Sequence, residues 1–524
     1  MNNFTEEQQA AIAAAGKTIV SASAGSGKTT VMIEKIVRLI TSGVDVREIL
    51  AVTFTKKAAA QMKEKLRKAL IKAINSPDTS AAQRSELKKQ LAEVPGADIS
   101  TIHSFCSKLI RSHFFAAGVD SDFSVIAEDD ADGTQLRSNA LDEVFEEAYE
   151  RGDEHFMRLL SVYWRKKSDN RLRGILTDTY SKLRMRADYR DFLKNAASFT
   201  EEKFDSIAEG LFSRLKEKCA WYSSRAEAER AYFEEVGRKK SADNAEELLT
   251  ALASLLTAPD YFAACAQPCP AFSAKERLKK DDTPQFADHV AALAAVKDKV
   301  KGIFAELADT LSREEELQNY LSSGAIAESL SEYLLKFDEK YGELKREKAL
   351  LDYNDLEHIA LELLSLPQIA EEVRGKYRYV FVDEYQDVNP VQEKLLSAVG
   401  EENVFLVGDI KQSIYGFRGS KSVFFAEKQR EFEGTAAASS LYLTRNFRSS
   451  DAVLDAVNSQ FLLAMTRKNS DVDYADGSVM ERGGRYAAES GRVQIHLLPK
   501  DKEKKGAERR GVYSVEASWL KAKA

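Results

Sequence analysis

Four separated stretches carry side chains suited to moving a phosphoryl group. The first, Ala22-Ser23-Ala24-Gly25-Ser26-Gly27-Lys28-Thr29, is a run of small residues closed by a cation and a hydroxyl, with Thr30 beside them. Small residues let backbone N–H groups wrap a phosphate, and a helix opening there adds its N-terminal dipole. Lys28 can reach the outer phosphates and the Thr29 hydroxyl can hold Mg²⁺, which is the logic of a P-loop; Ala22 stands where the strict pattern has Gly. The second stretch, Tyr379 to Asp387, is an apolar run ending in the adjacent carboxylates Asp383 and Glu384. Asp383 suits a Mg²⁺-linked role, and Glu384 is placed to orient and deprotonate an attacking water. A lone Asp-Glu pair is more often an ordinary acidic turn, and the upstream loop tips the balance. The third carries Gln412, behind the run Val404 to Val407, and the fourth Arg448, behind Asn446 and Phe447. A guanidinium there could stabilise charge on the transferred group.

These residues need elements that bring them together. Lys17–Ser21 and Ile49–Phe54 read as buried strands, and Thr29–Thr41 and Lys57–Lys72 as helices. Strand signals return at Tyr377–Val382, Val404–Val407, Leu441–Leu443 and Val493–Leu497, with a helix over Asp451–Leu463. Such alternation predicts a parallel sheet with crossover helices. Between about Phe115 and Lys345 the texture is instead long amphipathic helices, so a helical block interrupts the sheet domain. Within it, Pro259 to Pro284 reads as a mobile crossing segment.

Composition limits the alternatives. The chain has 524 residues, 44% hydrophobic and 30% charged, the balance of a globular protein with room for about three domains. Its apolar runs fall far short of the ~20 residues a bilayer crossing needs. Met1–Ala15 contains Glu6 and Glu7 and has no secretory pattern, so a cytoplasmic location is expected. Cys106, Cys219, Cys265 and Cys269 lack metal-ligand spacing and read as reduced, buried thiols. A net charge of −7 argues against coating nucleic acid by bulk electrostatics and leaves local grooves and base stacking as the routes to binding. Phe54, Tyr415 and Phe417 follow strands and could serve as stacking platforms, with core packing the competing reading. Asp352 and Asp355 are adequately explained as caps of the following helix, and His103 could be a satisfied helix-start histidine.

Taken in order, the motifs resemble those of superfamily 1A DNA helicases of the UvrD, Rep and PcrA type, most similarly the helicase–nuclease branch typified by AddA. The resemblance runs from Phe4 to Ser449. It implies an α/β P-loop NTPase with a RecA-like parallel sheet, interrupted by a large all-helical insertion and followed by an incomplete second RecA-like domain. The implied limits are 1–115 and 346–440 for the first motor domain, 116–345 for the insertion, and 441–524 for the truncated start of the second. Phe4-Thr5-Glu6-Glu7-Gln8 resembles the adenine-reading segment, with Gln8 on the adenine edge and Phe447 stacking on the ring. Gln412 is implied to sense the γ-phosphate, Arg448 to act as an arginine finger, and Gln386 to link nucleotide state to DNA. Phe54, Thr55, His103, Tyr415, Phe417 and Arg418 are the implied DNA contacts. Lys56 departs from the family's usual Asn, and no fifth or sixth motif follows Ser449.

The resemblance thus implies ATP and Mg²⁺ as cofactors, single-stranded or duplex DNA as partner, and an AddB-like subunit beside the full-length protein. The expected activity is 3′ to 5′ translocation on single-stranded DNA in double-strand break repair, this portion binding ATP and DNA but turning over poorly alone. Two other readings stay open: a non-catalytic nucleotide-binding or assembly fragment, and a P-loop ATPase acting on protein or another nucleic acid.

Overall fold

Alternate residues of each buried strand face two different helical layers, and that alternation organises the sheet-bearing unit of the molecule. The computed structural model describes residues 4–484 apart from 128–129, 166, 197, 401, 417–418, 436, 468–469 and 471. The sequence-predicted strand Val493–Leu497 lies outside the described residues. Ten strands occur among those described: β1 (Lys17–Ala22), β2 (Ile49–Thr53), β3 (Ile99–Thr101), β4 (Ser124–Ile126), β5 (Leu350–Asp352), β6 (Tyr379–Val382), β7 (Val404–Gly408), β8 (Ala438–Leu443), β9 (Arg445–Asn446) and β10 (Glu481–Arg482). Six of them form one sheet in the order β3-β2-β6-β7-β1-β8. Every pairing in it is parallel, with Ile19 opposite Leu406 and Leu50 opposite Val380.

Ile19, Leu50, Val52, Val380, Val382 and Leu406 pack on one face against helices Ile102–Ser112, Tyr353–Ser365 and Pro390–Val399. Val20, Ile49, Ala51, Phe381, Phe405 and Val407 pack on the other against Lys28–Thr41 and Lys56–Ile74. A sheet buried on both sides explains why its strands read as continuous apolar runs.

Contacts divide the chain into two compact units. One comprises Met1–Ala140, Thr177–Tyr189 and Lys340–Ala524, the other Leu141–Leu176 and Arg190–Glu339. The second unit is helical, with a core between Glu201–Glu235, Lys239–Leu256 and Pro284–Ala308. The proline-bearing crossing is tied down rather than loose: Arg238 pairs with Glu276 and Asp282, and Glu247 accepts from Ser273 N at 2.8 Å. Flanking helices present charged partners to its polar residues, a signal that local proline content does not carry. Of the four cysteines, all free, three are buried and Cys269 is exposed, because it lies on this crossing rather than on a helix face.

Asp352 and Asp355 do form a capping box on Tyr353–Ser365, and they do more. Lys345, only 3% exposed, reaches Asp352 at 2.6 Å and also meets Asp355, which Arg184 closes from another side at 2.8 Å. Burial by itself would raise the Asp352 carboxyl, but Lys345 and Arg184 hold it below the usual carboxylate range. Removing one partner of such a cluster strands the others. Lys345→Ala is expected to lower unfolding stability of this unit by about 3–5 kcal/mol in urea titration; a loss under about 1 kcal/mol would show the cluster to be solvated.

Candidate nucleotide and nucleic-acid site

Parallel pairing sends every loop singled out by the sequence to the same edge of the sheet. β1 delivers Ala22 to Thr29, β2 delivers Phe54 and Thr55, and β3 leads into the helix bearing His103. From the other strands come Asp383 to Asp387, Asp409 to Gln412, and Asn446 to Arg448. The carboxyl edge of a parallel sheet is where ligands bind in open α/β folds.

The loop after β1 turns through left-handed backbone at Gly25 (φ 80°) and Gly27 (φ 89°) before the helix opens at Lys28. Its outer carbonyls are all engaged: Asn446 Nδ2 donates to Ala24 O at 2.6 Å, Phe447 N to Gly25 O at 2.9 Å and Gln8 Nε2 to Ser26 O at 2.9 Å. Gln8 is held by a capping box with Thr5, so the short helix Glu6–Ala13 exists to present it. Ser23 and Ser26 are buried, Ala24 and Thr29 half-buried, and Thr30 exposed.

A single hydrogen-bonded chain joins the acidic box to this loop. Lys28 Nζ donates to Glu384 Oε2 at 3.0 Å, and Gln386 Nε2 donates to that same oxygen at 3.0 Å. Gln386 Oε1 accepts from Asp409 N at 2.8 Å, and Gln412 Nε2 donates to Asp409 Oδ2 at 2.7 Å. The approach needs Gly408, where an added Cβ would meet Gln386 Oε1 at 2.5 Å. Glu384 itself has left-handed backbone (φ 54°), an uncommon state for a non-glycine residue that turns its carboxylate toward Lys28. Burial pushes the Asp383 carboxyl up to about 6, with the charge of Glu384 adding to it and Lys28 opposing. Asp387 rises to about 6 for the same first two reasons. Arg448 lies across Gly25, its Cβ 2.8 Å from where a glycine Cβ would stand, and Phe447 is 39% exposed.

A groove of about 1260 Å³ opens in the same unit. Phe54, Lys56, His103, Lys108, Arg111 and Tyr353 are among its lining residues, a mixture of rings and cations. Phe54 and Tyr415 lie ring to ring at 4.5 Å, and both are half-buried rather than core. Thr55 is exposed and caps the helix Lys56–Ile74 by accepting from Ala58 N at 3.1 Å. His103 Nε2 meets Glu357 Oε1 at 2.9 Å and packs on Tyr353 at 4.8 Å. Phe417 and Arg418 lie outside the described residues.

Sequence reasoning missed Tyr353, Glu357 and Asn446. Glu357 is buried, and its carboxylate accepts from Asn389 at 3.0 Å and Gln392 at 2.6 Å as well as meeting His103. Burial alone would raise its carboxyl, but His103 and these amides hold it below the usual range. A Glu inside Leu356-Glu357-His358 reads as a solvated helix face, and only the long-range partners reveal otherwise. Asn446 had a usable signal, being a short amide beside two residues already assigned to the nucleotide.

Six parallel strands with a glycine-bearing strand-to-helix turn and an acidic box on one edge define a RecA-like motor core. A family model for the UvrD/REP helicase N-terminal domain matches residues 4–433, and the chain belongs to that family. It is similar to bacterial proteins named as subunits of an ATP-dependent helicase/nuclease. That of Bacillus licheniformis is 33% identical over 557 residues, covering 100% of this chain and 44% of the relative. Those of Alkaliphilus oremlandii and Syntrophomonas wolfei are 31% and 32% identical, covering 96% and 92% of this chain and 43% and 40% of the relatives. The chain therefore spans less than half the length of the curated relatives it matches. ATP-dependent activity is the property of the family.

The raised Asp383 carboxyl gives a stability test with a definite sign. Its folded value of about 6 exceeds the ordinary 3.8, so the folded protein holds a proton that the unfolded chain releases. The resulting stability is complete below about pH 4 and lost as pH rises through about 6. Without nucleotide or Mg²⁺, Asp383→Asn should be more stable than the parent at pH 8 by about 1–2 kcal/mol, and the gain should vanish at pH 4. An Asn variant that melts lower at pH 8 would refute the buried-charge account.

Proposed function

We propose that the chain is the nucleotide- and DNA-binding front of an ATP-driven motor that steps along single-stranded DNA during repair of double-strand breaks. The observation that carries the reading is the unbroken chain from Lys28 through Glu384, Gln386 and Asp409 to Gln412. It joins residues that follow three different strands at one sheet edge. The 3′ to 5′ direction is the one the resemblance implies. The second motor domain begins after β8 in this reading rather than at residue 441, because Leu441 to Leu443 still pair with β1, and Arg448 acts from its near end. The relatives are named as one component of a larger enzyme, which supports a partner in the AddB position, and a cytoplasmic location follows from a DNA substrate. No helix among the described residues is long and apolar enough to cross a membrane.

Phosphates of ATP take Lys28 from Glu384, whose carboxylate is then free to receive a proton from water. The water oxygen bonds to the γ-phosphorus as the bridging bond breaks, and ADP departs with the electron pair. Gln412 and Arg448 address the charge gathering on the transferred group. Asp383 and Thr29 offer a carboxylate and a hydroxyl, the hard oxygen donors that suit Mg²⁺, and would hold the ion together with phosphates and water. Bound there, it would supply positive charge that favours the ionised Asp383 carboxylate against the burial that raises it.

Coupling to DNA follows from Gln386, which donates to Glu384 on one side and to Asp387 at 3.3 Å on the other. Asp387 lines the groove that also holds Phe54. A shift of the groove wall on DNA binding therefore changes how firmly Glu384 is held.

The test is binding of a Mg·ATP analogue and of oligo-dT by this chain. Lys28→Ala is expected to abolish the first and spare the second. Tyr415→Ala should weaken the second by about 1–3 kcal/mol and spare the first. Nucleotide binding with no DNA binding would select the assembly-fragment reading, and equal or tighter binding of RNA would select another polymer as substrate.

A further inference from the structure

Backbone amides can face a phosphate only when the carbonyls on the other side of the same peptide planes are satisfied elsewhere. In a trans peptide the carbonyl of one residue and the N–H of the next point in opposite directions. Fixing the carbonyls of Ala24 and Ser26 therefore fixes the N–H groups of Gly25 and Gly27. The Ser26 carbonyl is held by Gln8, a residue already assigned to the site. The Ala24 carbonyl is held by the side chain of Asn446, 4% exposed and 2.6 Å away.

Asn446 works in both directions. While Nδ2 donates to Ala24, Oδ1 accepts from Arg448 N and Ser449 N, each at 2.8 Å. Phe447 N completes the join at Gly25 O. One amide thus ties the phosphate loop to the turn that presents Phe447 and Arg448. The loop is shaped for it: an added Cβ at Gly25 would stand 3.0 Å from Asn446 Oδ1 and 2.8 Å from Arg448 Cβ. Asn446 is anchored behind as well, since Gly483 N donates to its carbonyl at 2.8 Å and β9 pairs with β10.

We infer that, on the reading of this edge as a nucleotide site, Asn446 is the positioning residue that holds the phosphate loop in its anion-binding form and sets Arg448 beside it. Asparagine is required because one planar group must donate to a carbonyl and accept from two N–H groups together. Aspartate keeps the acceptor and the shape but loses the donor, placing an anion against Ala24 O and near the phosphates. Alanine loses both halves.

The experiment titrates a fluorescent Mg·ATP analogue and the corresponding ADP analogue into the parent chain, Asn446→Asp, Asn446→Ala and Lys28→Ala, with melting of each nucleotide-free protein. Asn446→Asp is expected to weaken both nucleotides about ten- to hundredfold while its melting temperature stays within about 2 °C of the parent. Asn446→Ala should weaken them at least as much; should it fail to fold, the Asp variant decides. Parental affinity in Asn446→Asp, with Lys28→Ala impaired, overturns the positioning role and leaves the nucleotide site standing. A nucleotide-free Asn446→Asp protein that melts more than about 5 °C lower assigns Asn446 to stability and also overturns it. Lys28→Ala binding as tightly as the parent removes the nucleotide site itself, and the inference with it.

Discussion

Parallel pairing is the constraint on which everything else in the sheet-bearing unit depends. Neighbouring parallel strands must all run the same way, so each delivers its following loop to one common edge, however distant in sequence. Residues near positions 28, 384, 412 and 448 meet because β1, β6, β7 and β8 obey that geometry. The loops bring the chemistry, and the sheet brings the loops.

Strand positions and motif order were legible in the sequence because both are written locally. Continuous apolar runs bounded by turns marked β1, β2, β6 and β7 to within about two residues. The loop after β1 was legible for a stronger reason: Gly25 and Gly27 sit in left-handed backbone that glycine adopts most readily. What stayed hidden depends on residues far apart in the chain. Glu357 finds Gln392 and His103 only after three helices pack together, and β3, three residues long, is too short to announce itself. The same limit explains the crossing around Pro259 to Pro284, where local composition suggested looseness and distant charges impose order.

Two features are frozen by burial on either side of the proposed groove. The Lys345, Asp352, Asp355 and Arg184 cluster fixes where the helix carrying Tyr353 begins. The Glu357 carboxylate fixes His103 and the cap of the helix that follows the acidic box. Rings and cations that line the groove are thus mounted on buried, hydrogen-bonded supports, and in the proposed reading this keeps the entropy of ordering them out of the binding step.

Gly408 carries a consequence of its own. The amide oxygen of Gln386 stands 2.5 Å from where any larger residue would put its first carbon, and the ring of Phe425 is 2.8 Å from the same point. Any side chain at 408 would have to displace that amide or that ring. A change at this position would register first in the bonds that Gln386 makes to Glu384 and to Asp409, so a residue with no side chain is what lets the two loops share one amide.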